Sequence, residues 1–216
     1  ARAIGEPAVV LLGAASDAVV AALGEYGASS VYAVDAPDAD RFLALPKTEA
    51  LVQIAALTAP VAILITSGLE GSDIAARVAV RLNSAVVTDA ITVGADAGHV
   101  IVTQSIVAGT FHAESVVTRG PAVITMRPNA TTATPAPVAA VVEKVAGNPQ
   151  AGAAGGEITG RGAKASSGRP ALTDAAVVVA GGRGVGSAAG FGVIEQLADA
   201  LGGAAIAGQT VDQRLG

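Results

Sequence analysis

The fold of this chain is decided by one stretch, residues 175–187, which reads AAVVVAGGRGVGS. Its apolar half, Ala175 to Ala180, is typical of a buried strand, and a glycine-rich turn follows at once. Apolar residues then recur at helical spacing, namely Phe191, Ile194, Leu197, Ala198 and Leu201. Gly202 marks the end of that predicted helix, and Ala204 to Ala207 has the composition of a second strand. The pattern predicts the opening β-α-β unit of a doubly wound α/β domain.

The glycine-rich turn has the chemistry of an anion-binding loop. Glycine has no side chain to hold a ligand away, so the turn exposes backbone N–H groups, and the helix that follows directs its positive end to the same place. Arg183 adds a cation whose planar fork suits a phosphate or an electron-rich ring edge. Ser187 is placed to cap the helix or to bond a phosphate oxygen. We therefore predict a phosphate-bearing cofactor at Gly182, Arg183, Gly184 and Ser187.

Two other interpretations of the turn stay open. A fragment of an NAD(P)-dependent Rossmann dehydrogenase is the first, but the spacing Gly182-x-Gly184-x-Gly186 departs from G-x-G-x-x-G, and no acidic ribose-binding residue stands near Ala207. In the second, the glycines only let the strand pack tightly on the helix, and the chain is a cofactor-free interaction module. Separate titrations with FAD and NADH would distinguish the three possibilities.

The chain before this unit predicts a first α/β domain. Strand-type and helix-type segments alternate up to Leu82, which is the rhythm of a largely parallel sheet. Strand-type runs then follow without helices from Ala85 to Arg127, two of them at 85–88 and 91–93, so we expect an antiparallel extension. One more strand is predicted at 138–145, and residues 151–170 have the composition of a linker. The predicted organisation is an N-terminal α/β domain with its linker, 1–168, and the beginning of a cofactor domain, 169–216.

The first domain contains a second loop at a possible ligand-binding position, but its charges argue against that role. Residues 67–71 follow an apolar strand, where α/β domains often bind ligands, but Glu70 and Asp73 would repel a phosphate. We expect a partner surface or a structural turn, with Ser72 or Asp73 capping the next helix. Arg77 and Arg81 lie one turn apart on that helix and are expected to form a solvated face, with an interface as the alternative. Another face of the same helix is apolar, since residues recur there at helical spacing, namely Ile74, Val78 and Leu82 with Ala75 and Ala79 beside them.

Composition excludes several classes of function. The 216 residues include no Cys, which rules out disulfides and cysteine-ligated metals within them. His99 and His112 lack acidic neighbours at metal-ligand spacing, so we predict no metal site. A net charge of −5 with scattered basic residues argues against nucleic acid, and no apolar run approaches the ~20 residues of a membrane span. A soluble intracellular protein is expected. Residues 1–5 have the composition of the end of a helix, so the chain is expected to be cut at its beginning. The same is expected at its end.

The cofactor unit resembles a known family. Residues 172–187, LTDAAVVVAGGRGVGS, continued by Phe191 and by LADALG at 197–202, are similar to the opening of the FAD domain of electron transfer flavoprotein α subunits. Upstream, TSGLEGSDIAARVA at 66–79, then Asp89 and PAVITMRP at 121–128, resemble the first domain of that subunit. The resemblance covers nearly the whole chain.

This resemblance implies an electron carrier and not an enzyme. Its cofactor is FAD, held mainly by the second domain, and its partner is a β subunit. Acyl-CoA dehydrogenases, such as those of fatty-acid β-oxidation, reduce the flavin, and a quinone oxidoreductase receives the electrons. The implied location is the cytoplasm, or the mitochondrial matrix in a eukaryote. The family's contact between the turn arginine and FAD maps to Arg183, where a cation favours the anionic reduced flavin.

The chain also departs from the family pattern. A Ser-Arg pair is expected just after the second strand of the FAD domain, but residues 207–212 contain Gly208 and Gln209 and no such pair. Whether Arg214 replaces it is left open. The family's later FAD-contacting segments do not occur in these 216 residues, so most of the expected cofactor contacts are absent from this stretch.

Overall fold

The computed structural model describes residues 1–36, 39–148, 155–162, 168–172 and 174–207. The chain divides into two compact units, Ala1–Gly160 and Arg161–Gly216, which we describe separately. Part of the predicted linker is attached to the first unit, because the N–H of Leu43 donates to the carbonyl of Gly156 and that of Ile158 to the carbonyl of Arg41.

The first unit alternates strands and helices in its first half and consists of strands afterwards. Its elements are β1 (Ala8–Leu12), α1 (Asp17–Glu25), β2 (Ser30–Asp35), α2 (Leu45–Thr58), β3 (Ala62–Thr66), α3 (Leu69–Arg81), β4 (Val86–Asp96), β5 (His99–Ile106), β6 (Phe111–Val116), β7 (Ala122–Met126) and β8 (Val141–Ala146).

These strands form two sheets. The first has the order β1-β2-β8 with all pairs parallel. The second has the order β3-β7-β4-β5-β6, in which β3, β7 and β4 are parallel while β4, β5 and β6 form an antiparallel meander. A largely parallel architecture with an antiparallel extension is thus confirmed. The strands predicted at 85–88 and 91–93 are one strand, β4, interrupted by a bulge between Ala90 and Thr92.

The second sheet has two buried clusters, and one of them lies under α3. The predicted apolar stripe is confirmed, since Ile74, Ala75, Val78 and Ala79 are buried and pack with β3 and β7. Val123 and Ile124 of β7 are completely buried, as expected for a strand covered on both faces. Small and branched side chains therefore supply nearly all of the packing in this chain, which has few aromatic residues.

The start of α3 differs from the prediction. The helix begins at Leu69, with Gly68 at the N-cap position and no side-chain cap, so neither Ser72 nor Asp73 caps it. The cause is Gly71: a Cβ at that position would overlap the carbonyl oxygen of Thr66, at the end of β3. Without that Cβ the helix starts directly against the strand, and most of the predicted loop becomes its first turn.

The two arginines of α3 have different roles. Arg77 pairs with Asp73 one turn earlier, at 2.7 Å, as a solvated helix face would. Arg81 instead donates to both carboxylate oxygens of Glu49 on α2, so it joins the two helices. Both arginines are exposed, as the prediction of a solvated face requires. Sequence spacing within one helix does not show that Arg81 has a partner on another helix.

The second unit confirms the β-α-β prediction. β9 (Val178–Gly181) is followed by a short 3-10 turn (Arg183–Val185), then α4 (Ala188–Ala200) and β10 (Ala204–Ala207), which pairs parallel with β9. Gly202, at φ +62°, ends the helix as expected. β9 starts later than predicted, and of the apolar stripe only Ala198 is fully buried, while Leu197 and Leu201 are about half exposed. Among the described residues no helix is both long and apolar enough to cross a bilayer.

Candidate cofactor site

Two glycines at the junction of β9 and α4 serve packing. A Cβ on Gly181 would lie 2.6 Å from Cε2 of Phe191 and 2.9 Å from Cγ1 of Ile194. A Cβ on Gly190 would overlap the carbonyl oxygen of Val185. These positions bring strand, turn and helix close together, so the packing explanation is correct for them.

The glycines between those two behave differently. Gly186 has φ +73°, the left-handed region that favours glycine, and it closes the turn. At Gly182 and Gly184 a Cβ would meet nothing within 4 Å, and neither residue has a positive φ that would demand glycine. The fold of the described residues therefore does not explain them. Their exposed backbone would let a ligand approach closely.

The N-terminus of α4 is prepared for an anion. The Ser187 hydroxyl accepts the N–H of Gly190 at 3.1 Å, which confirms the capping alternative for this residue. The first turn contains no acidic side chain that would occupy the positive end of the helix. The N–H groups of Ala188 and Ala189, which have no partner inside a helix, remain for water or a ligand.

Arg183 is the cation of this loop. It is exposed, and its guanidinium makes no ion pair or hydrogen bond with any residue that the structure describes. The acidic residues of α4 are engaged elsewhere: Arg169 donates to both carboxylate oxygens of Asp199, at 2.5 and 2.9 Å, and to Glu195 at 3.4 Å. The Arg169 hydrogen bonds hold the pKa of the Asp199 carboxyl below its ordinary value. Arg183 is therefore free to meet an anionic ligand.

The arrangement of this loop fits the diphosphate group of a dinucleotide cofactor. All four predicted residues, Gly182, Arg183, Gly184 and Ser187, lie between the end of β9 and the start of α4, where exposed N–H groups, a helix N-terminus and an unpaired cation coincide. Diphosphate groups bind at such strand-helix junctions. The sequence positions weighed beyond β10, Gly208, Gln209, Asp212 and Arg214, lie outside the described residues. The assignment of the four residues to the cofactor stays a prediction.

An ion pair between β4 and the end of β7, in the first unit, was not assigned from the sequence. Arg127, just after β7, donates to both carboxylate oxygens of Asp89, at 2.6 to 3.2 Å. Asp89 lies in a second bulge of β4, where its register with β7 shifts between Val87 and Ala90. Its guanidinium holds the pKa of Asp89 below the ordinary value; partial burial opposes this, while a hydrogen bond from Ser67 reinforces it. Asp89 has φ +56°, and its N–H donates to the fully buried hydroxyl of Thr125 at 2.8 Å. Through Ser67 these contacts link the beginning of the second loop to Asp89.

We expect Thr125→Val to lower the free energy of unfolding by about 1–3 kcal/mol, because the Asp89 N–H in the bulge loses its acceptor. The measurement is urea unfolding of the full-length protein. Thr92→Val, on an exposed position of the same sheet, is the matched control and should change stability by less than about 0.5 kcal/mol. Equal midpoints for the two variants would contradict this role of the hydroxyl.

The remaining candidates are surface residues. His99 on β5 and His112 on β6 are both exposed. The described part of the chain contains no group of three or more His, Cys, Asp or Glu side chains arranged to hold a metal ion.

Comparison with known families gives two matches, one in each of the two compact units. Residues 1–158 match the family described as electron transfer flavoprotein domain. Residues 171–214, which include the whole glycine loop, match the family described as electron transfer flavoprotein FAD-binding domain. The chain belongs to the electron transfer flavoprotein family. The cofactor named in the second description, FAD, is the one predicted from the sequence.

Similar curated proteins narrow the family to one subunit type. The chain is 38% identical over 207 residues to the electron transfer flavoprotein subunit alpha of Mycobacterium leprae, covering 94% of this chain and 64% of the relative. It is 35% identical over 206 residues to that of Syntrophomonas wolfei, covering 92% and 62%. For Bacillus subtilis the values are 27% over 217 residues, with 93% and 61% covered. The chain thus spans just under two thirds of these α subunits, and the resemblance noted in the sequence is confirmed.

Proposed function

We propose that the full-length protein is the α subunit of an electron transfer flavoprotein, a carrier that binds FAD and passes its electrons between protein partners. The observation that carries this proposal is the pair Gly182 and Gly184, which the fold leaves unexplained, beside the unpaired Arg183 at the start of α4. Membership of the FAD-binding family supports the choice of flavin over nicotinamide. The division at residues 168 and 169 and a cytoplasmic location belong to the same proposal.

In this proposal the chain's own residues bind and tune the cofactor. When bound, FAD supplies the redox chemistry. Gly182 and Gly184 let the backbone approach the ligand, and the α4 N-terminus, capped by Ser187, stabilises its phosphate charge. The Arg183 cation favours the anionic reduced form and so raises the flavin potential. No described group is arranged for hydrolysis or for acid-base work on a substrate, and the protein is proposed as a carrier.

The proposed partners follow from the family. A β subunit forms the heterodimer, acyl-CoA dehydrogenases supply electrons, and a quinone oxidoreductase accepts them. The full-length protein, produced with its β subunit, should be yellow and should bind FAD but not NADH. Tight binding of NADH with no retained flavin would favour the dehydrogenase alternative instead, and binding of neither would favour an interaction module.

Arg183→Ala should weaken FAD binding about 10–100-fold, the size expected for the loss of a charged hydrogen bond. The flavin potential should fall, because the reduced anion loses its neighbouring cation. Flavin fluorescence titration and spectroelectrochemistry measure the two effects. Arg183→Lys should restore most of the potential but less of the affinity, since Lys keeps the charge without the planar fork.

Arg77→Ala is the control for this pair of variants, because Arg77 is also exposed but pairs only within α3. It should leave both quantities unchanged. An Arg183→Ala protein with unaltered affinity and potential would remove Arg183 from the cofactor site.

A further inference from the structure

Phe191 of α4 packs against the last residue of β9. A Cβ added to Gly181 would lie 2.6 Å from Cε2 and 3.0 Å from Cδ2 of the Phe191 ring, and 2.9 Å from Cγ1 of Ile194. Among the four residues of β9 only Gly181 is fully buried. The strand is therefore held most closely at its last residue, where Phe191 and Ile194, one turn apart on the helix, set its distance from α4.

The turn that follows Gly181 is held together by its own backbone. Three hydrogen bonds of 2.9 to 3.1 Å close it, from the N–H groups of Val185, Gly186 and Ser187 to the carbonyls of Gly182, Arg183 and Val185 respectively. The exposed Arg183 side chain adds no ion pair or hydrogen bond with the described residues. The position of the backbone of this turn therefore decides where the Arg183 charge lies.

Two neighbouring residues of α4 support the turn at its two ends. Phe191 contacts Gly181, just before the turn, and Gly190 lies against the carbonyl of Val185, near its end. Gly190 gives its support by having no side chain, whereas Phe191 does so with a ring. This chain has only three Phe and two Tyr among 216 residues, and its fully buried side chains are mostly Ala and Val. A rigid ring has few rotamers, so it fixes the adjoining backbone more closely than a flexible side chain would.

We propose that Phe191 is a positioning residue for the cofactor: its ring sets the position of Gly181 and, through the hydrogen-bonded turn, that of the Arg183 charge. This inference rests on the proposed function, in which that charge favours the anionic reduced flavin. A smaller side chain would leave space beside Gly181, and the turn would relax towards α4 because a void in a packed region is costly. The Arg183 charge would then stabilise the reduced flavin less well.

Phe191→Leu tests this proposal in the full-length protein produced with its β subunit. FAD affinity should fall about 10-fold, because the turn no longer presents its backbone and its cation in the same place. The flavin potential should fall as in Arg183→Ala, but by a smaller amount. Fluorescence titration and spectroelectrochemistry measure the two effects. Val193→Ala, which truncates an exposed side chain of the same helix, is the control and should change neither quantity.

A double-mutant cycle separates positioning from ordinary packing. If Phe191 acts through Arg183, the fall in potential caused by Phe191→Leu should largely disappear when residue 183 is already Ala. A side chain that only stabilises the second unit would lower Tm in both backgrounds and leave the potential unchanged in both.

Two results would overturn the proposal: an unaltered potential in Phe191→Leu, or an equal fall in potential with and without Arg183. Should Phe191→Leu fail to fold, Phe191→Met keeps the volume without the rigid ring. It should unfold at a Tm near that of the parent protein and still have a lower potential; a parental potential would overturn the proposal. A parent protein that retains no flavin would overturn the proposed function and this inference together, whereas a yellow parent with unaltered variants would overturn this inference alone.

Discussion

Gly71→Ala should strongly destabilise the first unit, although Ala is the better helix former by about 1 kcal/mol. Gly71 lies in the first turn of α3, and the added methyl group would overlap the carbonyl oxygen of Thr66. That oxygen belongs to the backbone of a strand paired with β7, so it has no rotamer to change. We expect a loss of at least about 3 kcal/mol in the free energy of unfolding, a size reached by severe overpacking.

Thermal unfolding of the full-length protein measures the effect, with an expected fall of roughly 6–12 °C in Tm. Gly68→Ala is the matched control: a Cβ there meets nothing within 4 Å, so the loss should stay below about 1 kcal/mol. A Tm for Gly71→Ala at or above that of the parent protein would mean that helix propensity decides and that α3 moves away from β3 at little cost.

Periodic features of this fold were predictable from the sequence. The stripe Ile74, Ala75, Val78 and Ala79 predicted the buried face of α3, because helical spacing alone places those side chains together. The alternation of segments before Leu82 and its loss afterwards predicted the parallel sheet and its antiparallel extension. These patterns depend on local spacing, which a sequence displays directly.

Features that depend on contacts between distant segments were not predictable. Composition places Gly71 in a loop and so predicts a later start for α3, whereas this glycine is needed because of the nearby Thr66 carbonyl. The pairing of the exposed Arg81 gives no signal in the sequence, because its partner, Glu49, lies 32 residues earlier on another helix. In the same way the Asp89–Arg127 pair joins a bulge to a strand end that only the folded sheet brings together.

The candidate site shows both outcomes within one loop. Composition and position predict an anion-binding junction at residues 182–187, and the structure has an exposed turn and a helix N-terminus there. The sequence does not distinguish the glycines by role. A glycine that packs against a neighbour, one with a positive φ and one with an exposed backbone are the same residue type. Only the surroundings of each missing Cβ distinguish Gly181 and Gly190 from Gly182 and Gly184. Arg169, whose bonds occupy the acidic residues of α4, gave no signal in the sequence.

Two glycines of α4 provide the sharpest test of this distinction. Gly190→Ala would press its methyl group onto the Val185 carbonyl, in the turn that holds Arg183, so the helix and the loop cannot keep their present positions. We expect FAD affinity to fall at least about 10-fold and the second unit to lose about 2 kcal/mol or more of stability. Flavin content after purification and fluorescence titration with FAD measure the first effect, and thermal unfolding the second.

Gly192→Ala, two residues further along the same helix, makes the same chemical change in open space. It should keep full FAD affinity and gain up to about 1 kcal/mol of stability, the ordinary result inside a helix. If both variants lost flavin equally, the cause would be a general sensitivity of α4 and not the contact with Val185. If neither did, the loop geometry would not determine binding, and the flavin would have to be held by parts of the protein beyond this junction.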